Sequence, residues 1–143
     1  KRVTRPGGVA GAAVWDARGG WVANRLFFDT AAVLDPKAGE RRARNYTRPL
    51  TRPGELAAAW HRAGFCDVSE TTLLIRMEFE SFADYWAPYP GRDDPGAEYV
   101  RTLDASQRLR LEEAVRAAYI DGETDGPRSF AALAHAVKGC RPE

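Results

Sequence analysis

The chain has 143 residues with 21 Lys or Arg and 20 Asp or Glu, so its formal net charge is +1. This near balance gives no reason to expect a nucleic-acid partner or an acidic membrane surface. The length fits one domain with a buried core, and no apolar run reaches the roughly eighteen residues that a membrane-spanning helix needs.

Cysteines and histidines are few and widely spaced. The two cysteines, Cys66 and Cys140, and the two histidines, His61 and His135, form no C-x-x-C or H-x-x-x-H pattern. We therefore expect no metal site. With no recognisable signal peptide, we also expect reduced thiols and a cytoplasmic location.

The first predicted element is a strand. Pro6 and the two glycines after it predict a turn, and an apolar run follows from Val9 to Trp15. Continuous apolarity predicts a strand that is buried on both faces, as in a parallel sheet covered by helices. Asp16 ends the strand, and a loop with two glycines lies at its carboxyl end.

A helix is predicted from Trp21 to Leu34. Its apolar residues spread over more than one stripe, which favours two covered surfaces, one being the core and the other a ligand pocket or a partner. The arginine-rich segment from Pro36 to Pro49 lacks periodicity and predicts a loop. Its basic run, Glu40 to Arg44, is interpreted as solvated rather than as a phosphate-binding site.

A helix and a strand follow this segment. Thr51 is the expected helix cap, and Gly64 is the expected end of the helix. In the strand predicted at 71–79, alternation indicates one buried face. That face carries Leu73, Ile75, Met77 and Phe79.

The last third of the chain predicts two helices and a strand. Ser81 to Pro90 indicates a short aromatic helix, followed by a Gly/Asp/Pro loop. Asp104 and Gln107 have the spacing of a capping box for a helix that ends near Tyr119. A strand is then predicted from Phe130 to Gly139.

Three strands make too little sheet for a complete α/β domain. The apolar strand Val9 to Trp15 should have neighbours on both sides, and the later strands supply only one of them. The only methionine is Met77, so Lys1 is not a translation start unless an initiator was removed. We therefore expect further strands to be encoded upstream of Lys1.

Three stretches carry a family resemblance: RVTRPGGVAGAAVWD, LFFDTAAVLDP and PLTRPGELAAAWHRAGFCDVSETTLLIRMEFESFADYWAPY. Together they resemble the carboxyl-terminal half of a class I S-adenosylmethionine-dependent methyltransferase of the small-molecule type (methyltransferase type 11-like). In that family a Leu-Arg-Pro-Gly-Gly turn feeds the fifth strand, and Thr4 replaces the leucine here. The helix before the sixth strand is matched from Pro53 to Phe65. The seventh strand, antiparallel between the fifth and sixth, would be Phe130 to Gly139.

The resemblance implies an α/β fold. The chain would be the carboxyl-terminal part of a Rossmann-like methyltransferase sheet, with three strands of which the last is antiparallel, flanking and lid helices, and the amino-terminal strands missing. Residues 1–143 would then be the substrate-side part of the domain, and 21–50 and 81–128 would be lid or insert segments. S-adenosylmethionine would be held by a glycine-rich loop and an acidic residue in the other half. We therefore do not expect tight cofactor binding to this chain.

The resemblance also implies a substrate side at the carboxyl end of the first strand. No catalytic residue is assigned, since His61 lies in mid-helix and is interpreted as a surface residue. Asp16 could contact the substrate or could only cap the loop that follows the first strand. The aromatic side chains of the helices could line a pocket or could be core residues. The candidate substrate-binding residues are Trp15, Asp16, Phe27, Phe28, Tyr85 and Trp86.

Two functions remain open. The first is methyl transfer to a small, fairly apolar acceptor, with this chain inactive by itself. The second is a non-catalytic, self-associating interaction module derived from a methyltransferase fold. In both cases we expect a homodimer or a strand-exchanged oligomer that forms through the Val9–Trp15 edge.

Overall fold

The computed structural model describes residues 4–91 and 95–143. The elements found there are β1 (Val9–Trp15), α1 (Val22–Leu34), α2 (Pro36–Tyr46), α3 (Glu55–Arg62), β2 (Cys66–Phe79), α4 (Phe82–Trp86), α5 (Pro95–Arg101), α6 (Ala105–Ile120) and β3 (Arg128–Cys140). They form two compact units. Unit 1 comprises Lys1–Trp21, Thr47–Ile75 and Ala131–Glu143, and unit 2 comprises Val22–Tyr46 and Arg76–Phe130.

The three strands form one sheet in the order β1-β3-β2. β1 and β3 are antiparallel, with Val9 opposite Cys140 and Trp15 opposite Ala134. The predictions of a mixed α/β chain and of an antiparallel last strand between the other two are therefore confirmed.

β1 differs from its prediction. Its side chains alternate between exposed and half-buried along the whole strand, and Val9 is 65% exposed. Burial on both faces is therefore wrong for the described residues, which leave one face of β1 open. The run looked fully apolar because most of its residues are glycine and alanine, whose small side chains do not show which face is covered.

The amino terminus of α3 is capped by a residue that is distant in the sequence. Thr51 is not the cap, because its hydroxyl donates to the carbonyl of Arg48 at 2.8 Å. Gly54 holds the N-cap position with a φ of 82°, and no side chain of the helix caps it. The carboxylate of Glu70 on β2 instead accepts hydrogen bonds from the N–H groups of Gly54 (2.6 Å) and Ala57 (2.8 Å). The predicted end at Gly64 is confirmed by a φ of 78°.

β2 is longer than predicted and more exposed. Met77 and Phe79 are half-buried, as the alternation predicted. Leu73 and Ile75 are each 47% exposed, so the predicted buried face is wrong at these two positions. β2 lies at the edge of the described sheet, where one side of the strand has no neighbouring strand to help cover its side chains.

The predicted loop at Pro36 to Pro49 is wrong, because most of it is helix α2. Asp35 accepts a hydrogen bond from the N–H of Lys37 at 2.9 Å, and Pro36 suits the first helical position. Ala38 is the buried contact of α2, and the remaining residues include arginines, which are good helix formers. The basic run therefore lies on a helix. α1 packs against both α2 and α6.

The later helices follow their capping signals. Ser81 accepts a hydrogen bond from the N–H of Asp84 and begins α4. The predicted Gly/Asp/Pro loop includes residues 92–94, which lie outside the described residues, and α5 after it was not predicted. The capping box of α6 is confirmed: the Gln107 N–H donates to Asp104 at 2.8 Å, and the Asp104 N–H donates to Gln107 at 3.0 Å.

Candidate functional site

The loop after β1 is held by the carboxylate of Asp16. Its two oxygens accept hydrogen bonds from the N–H groups of Arg18 (2.8 Å) and Gly20 (3.1 Å). The Asp16 N–H donates to the carbonyl of Leu133 on β3, and the Leu133 N–H donates to the carbonyl of Gly20, both at 2.8 Å. Both ends of the loop are therefore hydrogen-bonded to the same residue of β3, Leu133, and the Asp16 carboxylate binds the backbone of the loop.

Two tryptophans flank this loop. The rings of Trp15 and Trp21 stack with centroids 5.4 Å apart and an angle of 27° between their planes. Trp15 is 38% exposed. The end of β1 therefore presents an aromatic surface next to a hydrogen-bonded loop. Trp15 and Asp16, which are neighbours in the chain, both lie there.

Three buried side-chain nitrogens in unit 1 have no hydrogen-bond partner among the described residues. They are Nε of Arg18, Nε1 of Trp21 and Nε2 of His135. Arg18 lies in the loop after β1, and Trp21 lies at the end of this loop. His135 lies on β3 opposite Val14. Unpaired buried polar groups are uncommon in folded proteins. Sequence reasoning did not select them, because their spacing along the chain shows no pattern.

The predicted aromatic residues of unit 2 are core residues in this structure. Phe27, Phe28 and Tyr85 are at most 1% exposed, and Trp86 is 7% exposed. Phe27 stacks on Tyr89 with centroids 4.1 Å apart, and Phe28 meets Phe27 edge-on at 5.1 Å. These rings pack on one another and hold α1 and α4 in unit 2.

Tyr85 is the polar centre of this aromatic core. Its hydroxyl donates to the carbonyl of Ala23 at 2.7 Å and accepts from the hydroxyl of Tyr89 at 3.3 Å. Burial, together with the neighbouring Tyr89, raises the pKa of Tyr85 far above its ordinary value. Tyr85 is therefore a neutral hydrogen-bonding group at physiological pH.

Unit 2 also contains a cavity of about 340 Å³, which none of the six predicted residues lines. Its wall carries three cations, Lys37, Arg41 and Arg110. The hydroxyls of Tyr99 and Thr102 and the amide of Gln107 add polar groups, and three leucines form the apolar part. We call this the cationic cavity.

Among the described residues that line the cationic cavity, the one carboxylate is already hydrogen-bonded. Asp35 accepts from the hydroxyl of Tyr99 at 2.9 Å and from the N–H of Lys37 at 2.9 Å. Burial and the hydrogen bond to Asp35 raise the pKa of Tyr99. Arg41 lies 6.0 Å from the centre of the Tyr99 ring and 3.6 Å from the carboxylate of Glu98. The convergence of these cations on one cavity was not predicted from the sequence, because α2 was predicted as a loop.

Other candidate side chains are apart from these sites. His61 is exposed on α3. In residues 4–91 and 95–143, no three His, Cys, Asp or Glu side chains group as metal ligands would. Cys66 and Cys140 are free thiols, and the Cys66 sulfur lies 3.3 Å from the carbonyl oxygen of Cys140.

No protein-family model matches the chain, and no curated protein matches it significantly. Within the described part of the chain, each helix is too short or too polar to cross a membrane.

Proposed function

We propose that the chain is the substrate-side part of an S-adenosylmethionine-dependent methyltransferase that acts on a small, fairly apolar acceptor. The observation that carries this proposal is the strand order β1-β3-β2 with β3 antiparallel to β1. The resemblance gives the same order for strands five, seven and six of a Rossmann-like methyltransferase sheet. The Pro-Gly-Gly turn before β1 and the Ala-Gly-Phe turn before β2 support it as well.

The end of β1 is the proposed acceptor side. Ligands of open α/β sheets bind outside the carboxyl ends of the strands, where Trp15 and Asp16 lie. The stack of Trp15 on Trp21 offers a flat apolar surface for an acceptor. Asp16 positions the loop, since both of its oxygens accept backbone hydrogen bonds. The segments 21–50 and 81–128 are proposed to be lid or insert segments of the complete domain.

Methyl transfer suits a site without a dedicated base. The methyl group passes from a sulfonium to the acceptor by in-line displacement, so the reaction depends mainly on proximity, orientation and exclusion of water. The cofactor is proposed to bind the amino-terminal half of the same sheet. This chain is proposed to contribute the acceptor contacts.

Calorimetric titration of S-adenosylhomocysteine tests the proposal. The ligand is titrated into this chain and, in parallel, into the full-length translated product. Binding to the longer protein alone is the expected result, because the glycine-rich loop belongs to the other half. Binding to neither protein would overturn the methyltransferase proposal, and equally tight binding to both would overturn the location of the cofactor site.

A self-associating module without catalysis is the second candidate. The position of β1 at an edge of the described sheet favours it. Under this proposal the titration shows no cofactor binding to either protein, while the chain still forms dimers through β1. A chain that binds no cofactor and stays monomeric would exclude this second candidate as well.

A further inference from the structure

The cationic cavity of unit 2 carries more positive than negative charge. We propose that it binds the phosphate group of a small phosphate monoester whose organic part is apolar. This site lies within unit 2, uses neither Trp15 nor Asp16, and does not depend on methyl transfer.

Two of its three cations have no side-chain partner among the described residues. Within the described part of the chain, the side chains of Lys37 and Arg110 form no ion pair and no hydrogen bond. Arg41 is shared with Glu98, whose side chain is 59% exposed, at 3.6 Å. Three like charges around one concavity repel one another, and a bound anion would remove this repulsion.

The protein's own acid cannot neutralise all three cations. Asp35 is the only carboxylate among the described lining residues, and it is held by Tyr99 and by the first turn of α2. Among the described lining residues, three cations against one carboxylate leave an excess of two positive charges; the exposed carboxylate of Glu98, which lies 3.6 Å from Arg41, is not one of the lining residues. A phosphate monoester carries about 1.5 to 2 negative charges at neutral pH, whereas a carboxylate carries one. The charge therefore favours a phosphate group.

The polar groups of the cavity can complete its binding. Gln107 uses its carbonyl oxygen to accept from the Asp104 N–H, which leaves its NH₂ group able to donate. One arginine guanidinium group can donate two parallel hydrogen bonds to two oxygens of a phosphate group. Arg41 and Arg110 therefore suit this ligand better than lysines would.

The size and the apolar wall indicate a small organic group. A volume of about 340 Å³ lies at the lower end of the range for small-molecule sites. Leu34, Leu103 and Leu111 line the cavity, and Leu111 is buried. They can contact the apolar part of the ligand while the cations hold its phosphate.

Calorimetry with phenyl phosphate as the probe tests the inference on the intact chain. We expect binding with a Kd of about 1 mM or tighter. The double variant Lys37→Gln/Arg110→Gln should weaken this binding by at least about tenfold, since it removes both unpaired cations. The control Arg44→Gln/Arg108→Gln removes two exposed arginines from the same two helices, outside the cavity, and should change the Kd by less than about twofold.

Two further probes separate phosphate recognition from general anion binding. Benzoate should bind more weakly than phenyl phosphate, and benzyl alcohol should not bind. Circular dichroism must show the same fold for both double variants. The inference is overturned if phenyl phosphate does not bind, if benzoate binds equally well, or if the two double variants weaken binding alike.

Discussion

Gly20 occupies a position where no side chain fits. A Cβ atom built on it would lie 2.6 Å from the Cβ of Leu133 and 2.9 Å from the Cβ of Asp16. Both contacts are shorter than real Cβ atoms make, and neither partner atom is the end of a flexible chain. The close approach of the loop to β3 therefore requires glycine. By contrast, a Cβ on Gly19 would meet nothing within 4 Å.

Gly20→Ala should destabilise the protein, and Gly19→Ala should not. Overpacking of this kind costs roughly 1 to 3 kcal/mol in the free energy of unfolding. Urea unfolding followed by circular dichroism measures both variants, and Gly19→Ala is the matched control in the same loop. Equal stability of the two variants would contradict the close packing of Asp16, Gly20 and Leu133.

Tyr85 links stability to alkaline pH. Burial raises its pKa in the folded state above the ordinary value of 10.0. Its contribution to stability is therefore fully present below pH 10. It declines as the pH rises above 10, because the unfolded state then loses the proton more readily.

Tyr85→Phe should lower the free energy of unfolding by roughly 1 to 3 kcal/mol at neutral pH, because the Ala23 carbonyl loses its buried donor. The difference between wild type and variant should stay constant up to about pH 9 and shrink above pH 10, by up to about 1.4 kcal/mol per pH unit. Denaturant titrations from pH 7 to pH 11 measure this. Tyr46→Phe, at a half-exposed position on α2, controls for the loss of a hydroxyl. A difference that grows above pH 10 would contradict the burial argument.

At the scale of elements, α3 depends on a strand that follows it in the chain. Glu70 on β2 binds the N–H groups of Gly54 and Ala57 at the amino end of this eight-residue helix. A carboxylate at a helix amino terminus is favoured both by these hydrogen bonds and by the helix dipole. The helix and the strand therefore stabilise each other.

Glu70→Ala should destabilise the protein by about 0.5 to 2 kcal/mol and should speed hydrogen exchange in the first turn of α3. Thr72→Ala, two residues along the same strand and exposed, is the control for loss of a strand side chain. Exchange that is unchanged at Ala57 in Glu70→Ala would contradict the capping role.

The difference between predicted and unpredicted elements follows from how local their signals are. The capping box of Asp104 and Gln107 lies within four residues, so α6 was predicted correctly from the sequence. α2 was missed because its helix has one strongly buried residue, Ala38, and no apolar stripe. The cap of α3 comes from Glu70, sixteen residues from Gly54. No local pattern reports a contact of that separation.

The candidate sites show the same limit. The position of Trp15 and Asp16 at the end of a strand could be predicted from the sequence, because a single apolar run shows where β1 ends. The cationic cavity combines α2 with residues near α5 and α6, and two of these three helices were not predicted. The overall charge of +1 hid it as well, because the excess charge of one cavity disappears in the sum over 143 residues.

At the scale of the whole molecule, the sheet formed by the described residues has two open edges, because β3 lies in its middle. The N–H of Asp16 donates to the carbonyl of Leu133 on β3, and the carbonyl of Gly8 accepts from the N–H of Arg141, the residue that directly follows β3. Backbone groups alternate along an antiparallel strand, so those of the odd residues of β1, including Ala13, point away from β3. No strand among the described residues pairs with them, so they can pair with a strand of a second copy.

Ala13→Pro should therefore abolish self-association and leave the sheet intact, since proline removes an outward N–H and is tolerated at an edge. Ala13→Val keeps the N–H and is the matched control. Sedimentation over a wide concentration range should show association for the wild type and Ala13→Val, and a monomer for Ala13→Pro. Circular dichroism checks the fold of all three proteins. A wild-type chain that remains monomeric at every concentration would exclude the β1 edge as an interface, and association that persists in Ala13→Pro would place the interface elsewhere.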